Sequence, residues 1–167
     1  MELLIYLRWW QYRSTENSMR YWTIIILFIL TSCHPLFCTW DNGYKQLTTE
    51  PKRERLIGQF KLIESSKEFL VDKGFKNQEF KLELLDNGQF KFTNGPDIIF
   101  DREGKTMLGL INKEGRWSVS CADSYDCLIE LEDVCVMPLA EKDGRLAILI
   151  TVGDGDECNG LVYEKVE

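Results

Sequence analysis

Few residues in this chain could do chemistry: six cysteines, one histidine and an acidic loop near the C-terminus. The loop is VGDGDECNGL, Val152–Leu161. A calcium loop of EF-hand type needs oxygen-bearing side chains at its first, third and fifth positions, glycine at the sixth and glutamate at the twelfth. Counting from Asp154, the third position is Asp156, but the fifth is Cys158, the sixth Asn159 and the twelfth Lys165. As a carboxylate pair, Asp154 and Asp156 are the residue types that cleave glycosidic bonds. Nothing around them suggests a substrate cleft, however. Gly153, Gly155 and Gly160 allow tight backbone geometry and the acids solvate it, so a turn between the last two strands is the expected role. No metal site is expected.

The only histidine is His34, outside the region that reads as a sheet. The domain therefore lacks the usual general base near neutral pH. Ser-His-Asp and Cys-His arrangements are excluded within the chain, as is histidine-ligated zinc. No Cys-x-x-Cys occurs, which argues against a thioredoxin-like centre or zinc ribbon. The glycines are scattered singly at turns, with no phosphate-binding or dinucleotide fingerprint. No catalytic residue and no cofactor are expected, and the protein reads as a non-enzyme. The net charge is −7 and no concentrated basic patch is present, so nucleic acid is not an expected partner.

The elements that would position these residues are strands. From Arg55 onward the hydrophobic period is two. Leu56, Gly58, Phe60 and Leu62 share one face, and Phe80, Leu82 and Leu84 alternate with Glu79, Lys81 and Glu83. Asp86-Asn87-Gly88 forms a turn, after which Phe90 and Phe92 continue on one face. Trp117, Val119 and Cys121 lie together, as do Cys127, Ile129 and Leu131. Glu141–Gly144 turns the strand through Val136 into the one from Arg145, and "GLVYEKV" ends the set. A short helical turn is expected near Ser65–Phe69, and no long amphipathic helix. The expected fold is all-β, an antiparallel meander barrel of about eight strands over 55–167, since successive hairpins favour neighbour-to-neighbour order.

The region before the sheet has a different character. Residues Met19–Cys33 read "MRYWTIIILFILTSC": a positive residue, an apolar core, then small residues. That is the layout of a secretory signal peptide. Trp22–Cys33 falls short of the ~20 apolar residues a membrane span needs, and Pro35 would disturb a continuing helix. Met1–Ser18 is an unusual extension for such a leader, so Met19 is the expected initiator. Residues 34–54 are irregular, with a turn at Asp41-Asn42-Gly43 and a charge run at Lys52–Arg55, and are expected to be a tether. Trp40 and Tyr44 could dock on the domain or rest at a bilayer interface.

Leu30-Thr31-Ser32-Cys33 resembles the lipobox of bacterial lipoproteins. The resemblance implies that Cys33 receives a diacylglycerol thioether, becomes the new N-terminus and is acylated on its amine. Several acyl chains give stable membrane anchorage where one does not. Because His34 rather than aspartate follows the cysteine, and no acidic run follows, the resemblance implies an outer-membrane anchor on the periplasmic side. With Cys33 acylated, five thiols remain, so at least one stays unpaired. Cys121 and Cys127 are the candidate disulfide: placed opposite each other in a hairpin, they set Val119 against Ile129 and Trp117 against Leu131, a register with one apolar face. Cys135–Cys158 is a second candidate.

"LIGQFKLIE" is similar to the opening strand of lipocalin-like domains, with Phe60 where that family has tryptophan. Asp86–Phe90, Gly115–Trp117 and the closing "GDGDECNGLVYEKV" are similar to hairpins of small lipocalin-like lipoproteins. The resemblance implies an eight-stranded barrel whose interior takes a small apolar ligand. Phe60, Phe80, Phe90, Phe92 and Trp117 could line that interior or fill it. Two functions are therefore expected in rank order: a membrane-anchored binding module for an apolar ligand or partner, and a solid-core lipoprotein that docks on an envelope protein complex. A binding barrel requires an internal apolar cavity of a few hundred Å³.

Overall fold

The computed structural model describes residues 39–76, 78–100, 109–122, 126–153 and 158–166. The proposed leader and lipid cysteine, His34, Asp154 and Asp156 lie outside the described residues.

In chain order the described elements are β1 (Lys45–Gln46), α1 (Arg53–Leu56), β2 (Gly58–Leu62), α2 (Glu64–Asp72), β3 (Lys81–Leu84) and β4 (Gln89–Pro96). A 3-10 turn at Asp97–Phe100 follows, then β5 (Leu110–Ser120), β6 (Leu128–Leu131), β7 (Cys135–Lys142), β8 (Arg145–Thr151) and β9 (Gly160–Lys165). From β2 to β9 each strand pairs antiparallel with the next, and β9 pairs back onto β2. The result is the expected closed eight-stranded meander barrel. Closure removes the unpaired outer strands that an open sheet would expose.

Local chemistry sets the hairpins. Asp143 and Gly144 have φ of 52° and 81° and join Lys142 to its paired partner Arg145. That is the two-residue, positive-φ turn that suits strand twist, and it favours Asp-Gly. The β5–β6 register is the expected one, with Trp117 opposite Leu131 and Val119 opposite Ile129. Just beyond it, Cys121 and Cys127 are disulfide-bonded with Cα atoms 4.2 Å apart.

Alternation sends Phe60, Leu82, Leu84, Phe90, Phe92, Ile129, Leu139, Ile148 and Tyr163 into one buried cluster. α1 precedes β2 and α2 follows it, so the two helices stand at opposite ends of the barrel. Leu56 of α1 and Leu70 of α2 join the core from those ends, as do Phe75 and Phe80. α2 is longer than the helical turn expected at Ser65–Phe69. Its buried stripe is only Ser66 and Leu70, too thin to give a strong helical period.

β8 departs from alternation: Leu146–Ile150 are all buried. The reason is a strap on the outside of the wall. Outward-facing Ala140, Ala147, Leu149 and Val162 form a second cluster with Tyr44, against which Trp40 and Ile63 pack. β1 pairs with β7, Lys45 opposite Glu141 and Gln46 opposite Ala140. Leu47 N–H donates to Leu139 O at 2.8 Å and Leu47 O accepts from Cys127 N–H at 2.6 Å. The Tyr44 hydroxyl donates to Glu164, and Lys142 Nζ donates to Asn42 O at 2.6 Å. So the segment expected as a tether is, from Thr39, laid against the barrel wall, and Trp40 and Tyr44 dock on the domain.

Candidate functional site

The interior is the first place to look for a ligand. Phe60 and Phe92 are 0% exposed, Phe90 1%, Phe80 3% and Trp117 6%. A void wide enough for water would leave accessible surface on the side chains that line it. Phe60, Phe92, Leu82, Leu84, Ile129, Leu139, Ile148 and Tyr163 have none. The aromatic residues expected to line or fill the barrel therefore fill it, at the close packing usual for protein interiors. The Phe92 and Tyr163 rings meet across the core at 5.6 Å between centroids, tilted by 54°, a favourable aromatic geometry.

One end of the filled barrel carries an arrangement that sequence patterning does not reveal. Arg53 of α1 lies over the Trp117 ring, 4.4 Å from its centroid, and donates to Asp86 O at 3.2 Å. Trp117 Nε1 donates to Leu85 O at 3.1 Å. The guanidinium thus closes this end over the tryptophan face, worth roughly 0.5–1 kcal/mol for a partly exposed pair. The only sequence signal for it is the Lys52–Arg55 charge run, which reads equally well as solvated surface.

The core's polar groups are chemically quiet. The Tyr163 hydroxyl is buried without a hydrogen-bond partner among the described residues, and burial raises its pKa further above the usual phenol value. Burial likewise pushes the Cys135 thiol up to about 12. Neither can serve as thiolate, phenolate or base near neutral pH. Ser66, the buried polar side chain of α2, accepts the Val162 N–H at 2.9 Å and so fixes the helix against β9. Asp97 accepts from Gly109 N–H at 2.8 Å through one oxygen, while its other oxygen is buried and unpartnered among the described residues.

Three clefts among the described residues open on the outside. One of about 180 Å³ lies between α1 and the β8–β9 wall, lined by Arg55, Arg145 and Lys165. Its cations are engaged: Arg55 pairs with Glu141 at 2.6 Å, Arg145 with Glu164 at 3.0 Å, and Lys165 Nζ donates to Arg55 O at 2.6 Å. Exposed pairs of this kind contribute little individually. A second cleft of about 290 Å³ separates the strap from α2, lined by Thr39, Trp40, Ser65, Phe69 and Cys158. A third, of about 400 Å³, runs along β4 and β5 between Phe90, Lys91, Glu114 and Arg116.

The cysteines sort as follows. Cys121–Cys127 is the bond expected from register. Cys135–Cys158 is not formed: Cys135 is a free thiol, while Cys158 is disulfide-bonded elsewhere. The reason is topological: Cys135 opens β7, paired with Leu131, whereas Cys158 precedes β9 beside the strap. Among the described residues, no three His, Cys, Asp or Glu side chains come together as a metal site. No described helix is long and apolar enough to cross a membrane. In comparison with protein-family models, curated proteins and solved structures, the chain matches none.

Proposed function

We propose that this chain is a lipid-anchored protein of the bacterial envelope whose solid barrel is a non-catalytic docking module for an envelope protein. The observation that carries this reading is the filled interior. An apolar ligand of ordinary size needs a few hundred Å³ of enclosed space, and here it would have to displace Phe60, Phe92 and Tyr163, each 0% exposed. That cost favours the docking role over the internal-ligand role. Recognition then falls to the outer surface and its clefts.

The anchoring part of the proposal rests on the residues before the domain. Leu30-Thr31-Ser32-Cys33 follows an apolar core and a positive residue, and the meander topology of the domain agrees with the lipocalin-like resemblance of "LIGQFKLIE". His34 after the cysteine supports the outer membrane, periplasmic side, as the address. The non-catalytic part is supported by His34 being the sole histidine, and by the phenol and thiol of the core being held neutral.

The test is metabolic labelling with an alkynyl fatty acid in a bacterial host that expresses the full chain. Label is expected on the wild type in the outer-membrane fraction, with none on Cys33→Ala. Equal labelling of both, or an unlabelled wild type whose leader is retained, would overturn the anchor. Docking is tested separately by photocrosslinking from the strap–α2 cleft and the α1 cleft, where one discrete protein adduct is expected. Smeared or absent adducts from both positions would count against a docking module.

A further inference from the structure

We propose that the β5 edge over Leu110–Glu114 is a strand-addition site, which takes an extended, basic segment of the partner protein as one more antiparallel strand. The existence of a partner rests on the docking reading above; the open edge stands on the hydrogen bonding of the barrel itself.

β5 is longer than its neighbour on one side. Its 11 residues pair with β4 from Leu110 to Arg116, but with β6 only from Trp117 to Ser120. Bond direction decides which groups are left over. Trp117 N–H donates to Gly88 O at 2.8 Å, on the β4 side. Alternation along the strand then turns the N–H and C=O of odd-numbered residues toward β4 and those of even-numbered residues toward β6. Arg116 is the last rung on the β6 side. Its O accepts from Glu132 N–H at 2.9 Å, and its N–H donates to the Glu132 carboxylate at 3.0 Å. Beyond that rung the chain turns from β6 into β7. The N–H and C=O of Asn112 and Glu114 therefore face no strand among the described residues, and both residues are exposed.

A bare edge templates pairing with another chain. From Leu110 to Glu114 it runs ~17 Å, the length of a short added strand. Main-chain bonds to the edge supply affinity, and alternate side chains supply specificity. Charge selects the occupant. Glu114, Glu132 and Asp133 flank the edge; Lys113 is paired with Asp133 at 3.6 Å, and Arg116 lies past the end of the added strand. A second copy is disfavoured twice. Each chain carries −7, so copies repel. A two-fold pairing centred on Lys113 or Glu114 also sets like charges directly opposite, which destabilises a sheet. An incoming basic side chain opposite Glu114 reverses that sign. Leu110, 43% exposed, shares the outward face with Glu114 and offers an aliphatic contact at the other end.

The experiment uses the full chain. Hydrogen exchange read residue by residue is expected to show fast Asn112 and Glu114 amides between slow Lys113 and Gly115 amides. Proline is tolerated where its missing N–H would face solvent, so Glu114→Pro should melt near the wild type, whereas Lys113→Pro breaks a bond to β4 and should melt lower. The occupancy probe is a phage-displayed library of random peptides. Enriched peptides are expected to be basic and to protect the Asn112 and Glu114 amides. They should bind Glu114→Pro about tenfold more weakly, the scale of one lost backbone hydrogen bond. Slow exchange of both edge amides in the unbound protein, no enrichment, or equal binding to Glu114→Pro overturns the edge site. Photocrosslinking from Leu110 in the envelope separates this proposal from the docking reading. Edge-binding peptides with no adduct from Leu110 or either cleft uphold the edge site while docking fails. A discrete adduct from a cleft, with none from Leu110, upholds docking and overturns the edge site.

Discussion

Tyr163 places a hydroxyl in the barrel core with nothing described to bond it. An unpaired buried hydroxyl costs ~1–3 kcal/mol. Tyr163→Phe removes the hydroxyl and keeps the ring contact with Phe92. The variant is expected to gain about 1 kcal/mol in urea unfolding, and a clear loss would reveal a partner for that oxygen. Cys135 makes a kinetic prediction: at pH 8, iodoacetamide should modify its half-buried thiol slowly, because little of it is thiolate, and rapidly once denaturant is added. The same burial has a pH consequence. The folded thiol titrates at about 12 against 9.0 for an unperturbed cysteine, so its contribution is fully present below about pH 9 and lost as pH rises toward 12. Tyr163 is raised by burial, and Tyr44 is raised by burial and then by its hydrogen bond to Glu164, so both act in the same direction at still higher pH. The melting temperature should fall steadily above pH 9. On the acid side, Lys81 and then Lys61 hold the Glu79 carboxyl down to about 2. That pair of contacts favours the fold above the ordinary carboxylate range and is lost as pH falls toward 2, but Glu79 is exposed and the effect is screened.

Among the elements, the strap and the β5–β6 hairpin make the sharpest predictions. Gly160→Ala would drive a methyl into the Trp40 ring, so the ring must leave its place on the wall. A loss of ~1–3 kcal/mol is expected, with a red shift of tryptophan emission; unchanged emission and stability would mean that Trp40 does not dock there in solution. Replacing both Cys121 and Cys127 by alanine opens a small loop, worth about 2 kcal/mol by chain entropy. Calorimetry should show that loss with the barrel still folded. This hairpin was legible in the sequence because one register alone placed Trp117, Val119, Ile129 and Leu131 on a common face. The strap was not legible, since Thr39–Leu47 has neither a period of two nor one of 3.6. Its trace lies instead in β8, where Leu146–Ile150 runs apolar without alternation. A strand buried on both faces reads that way, and something outside the barrel had to cover the second face.

For the whole molecule, the meander followed from local rules: short turns between alternating strands leave few topologies except closure. Whether the barrel would be hollow could not be read, because that depends on how rings from opposite walls interlock. Phe60, Phe90 and Phe92 are placed inward by alternation alone, but the Phe92–Tyr163 contact joins residues far apart in sequence. The Arg53–Trp117 closure is also a long-range pairing, and no motif announces it. Asp154 and Asp156, the acids of the loop that opened the chemical question, lie outside the described residues. The account's central claim is that recognition belongs to the outer surface of a filled barrel. Native mass spectrometry of the protein extracted from its own envelope tests that claim most directly. The account predicts the polypeptide with its covalent lipid and no retained small molecule; a tightly held apolar compound, released only on unfolding, would contradict it.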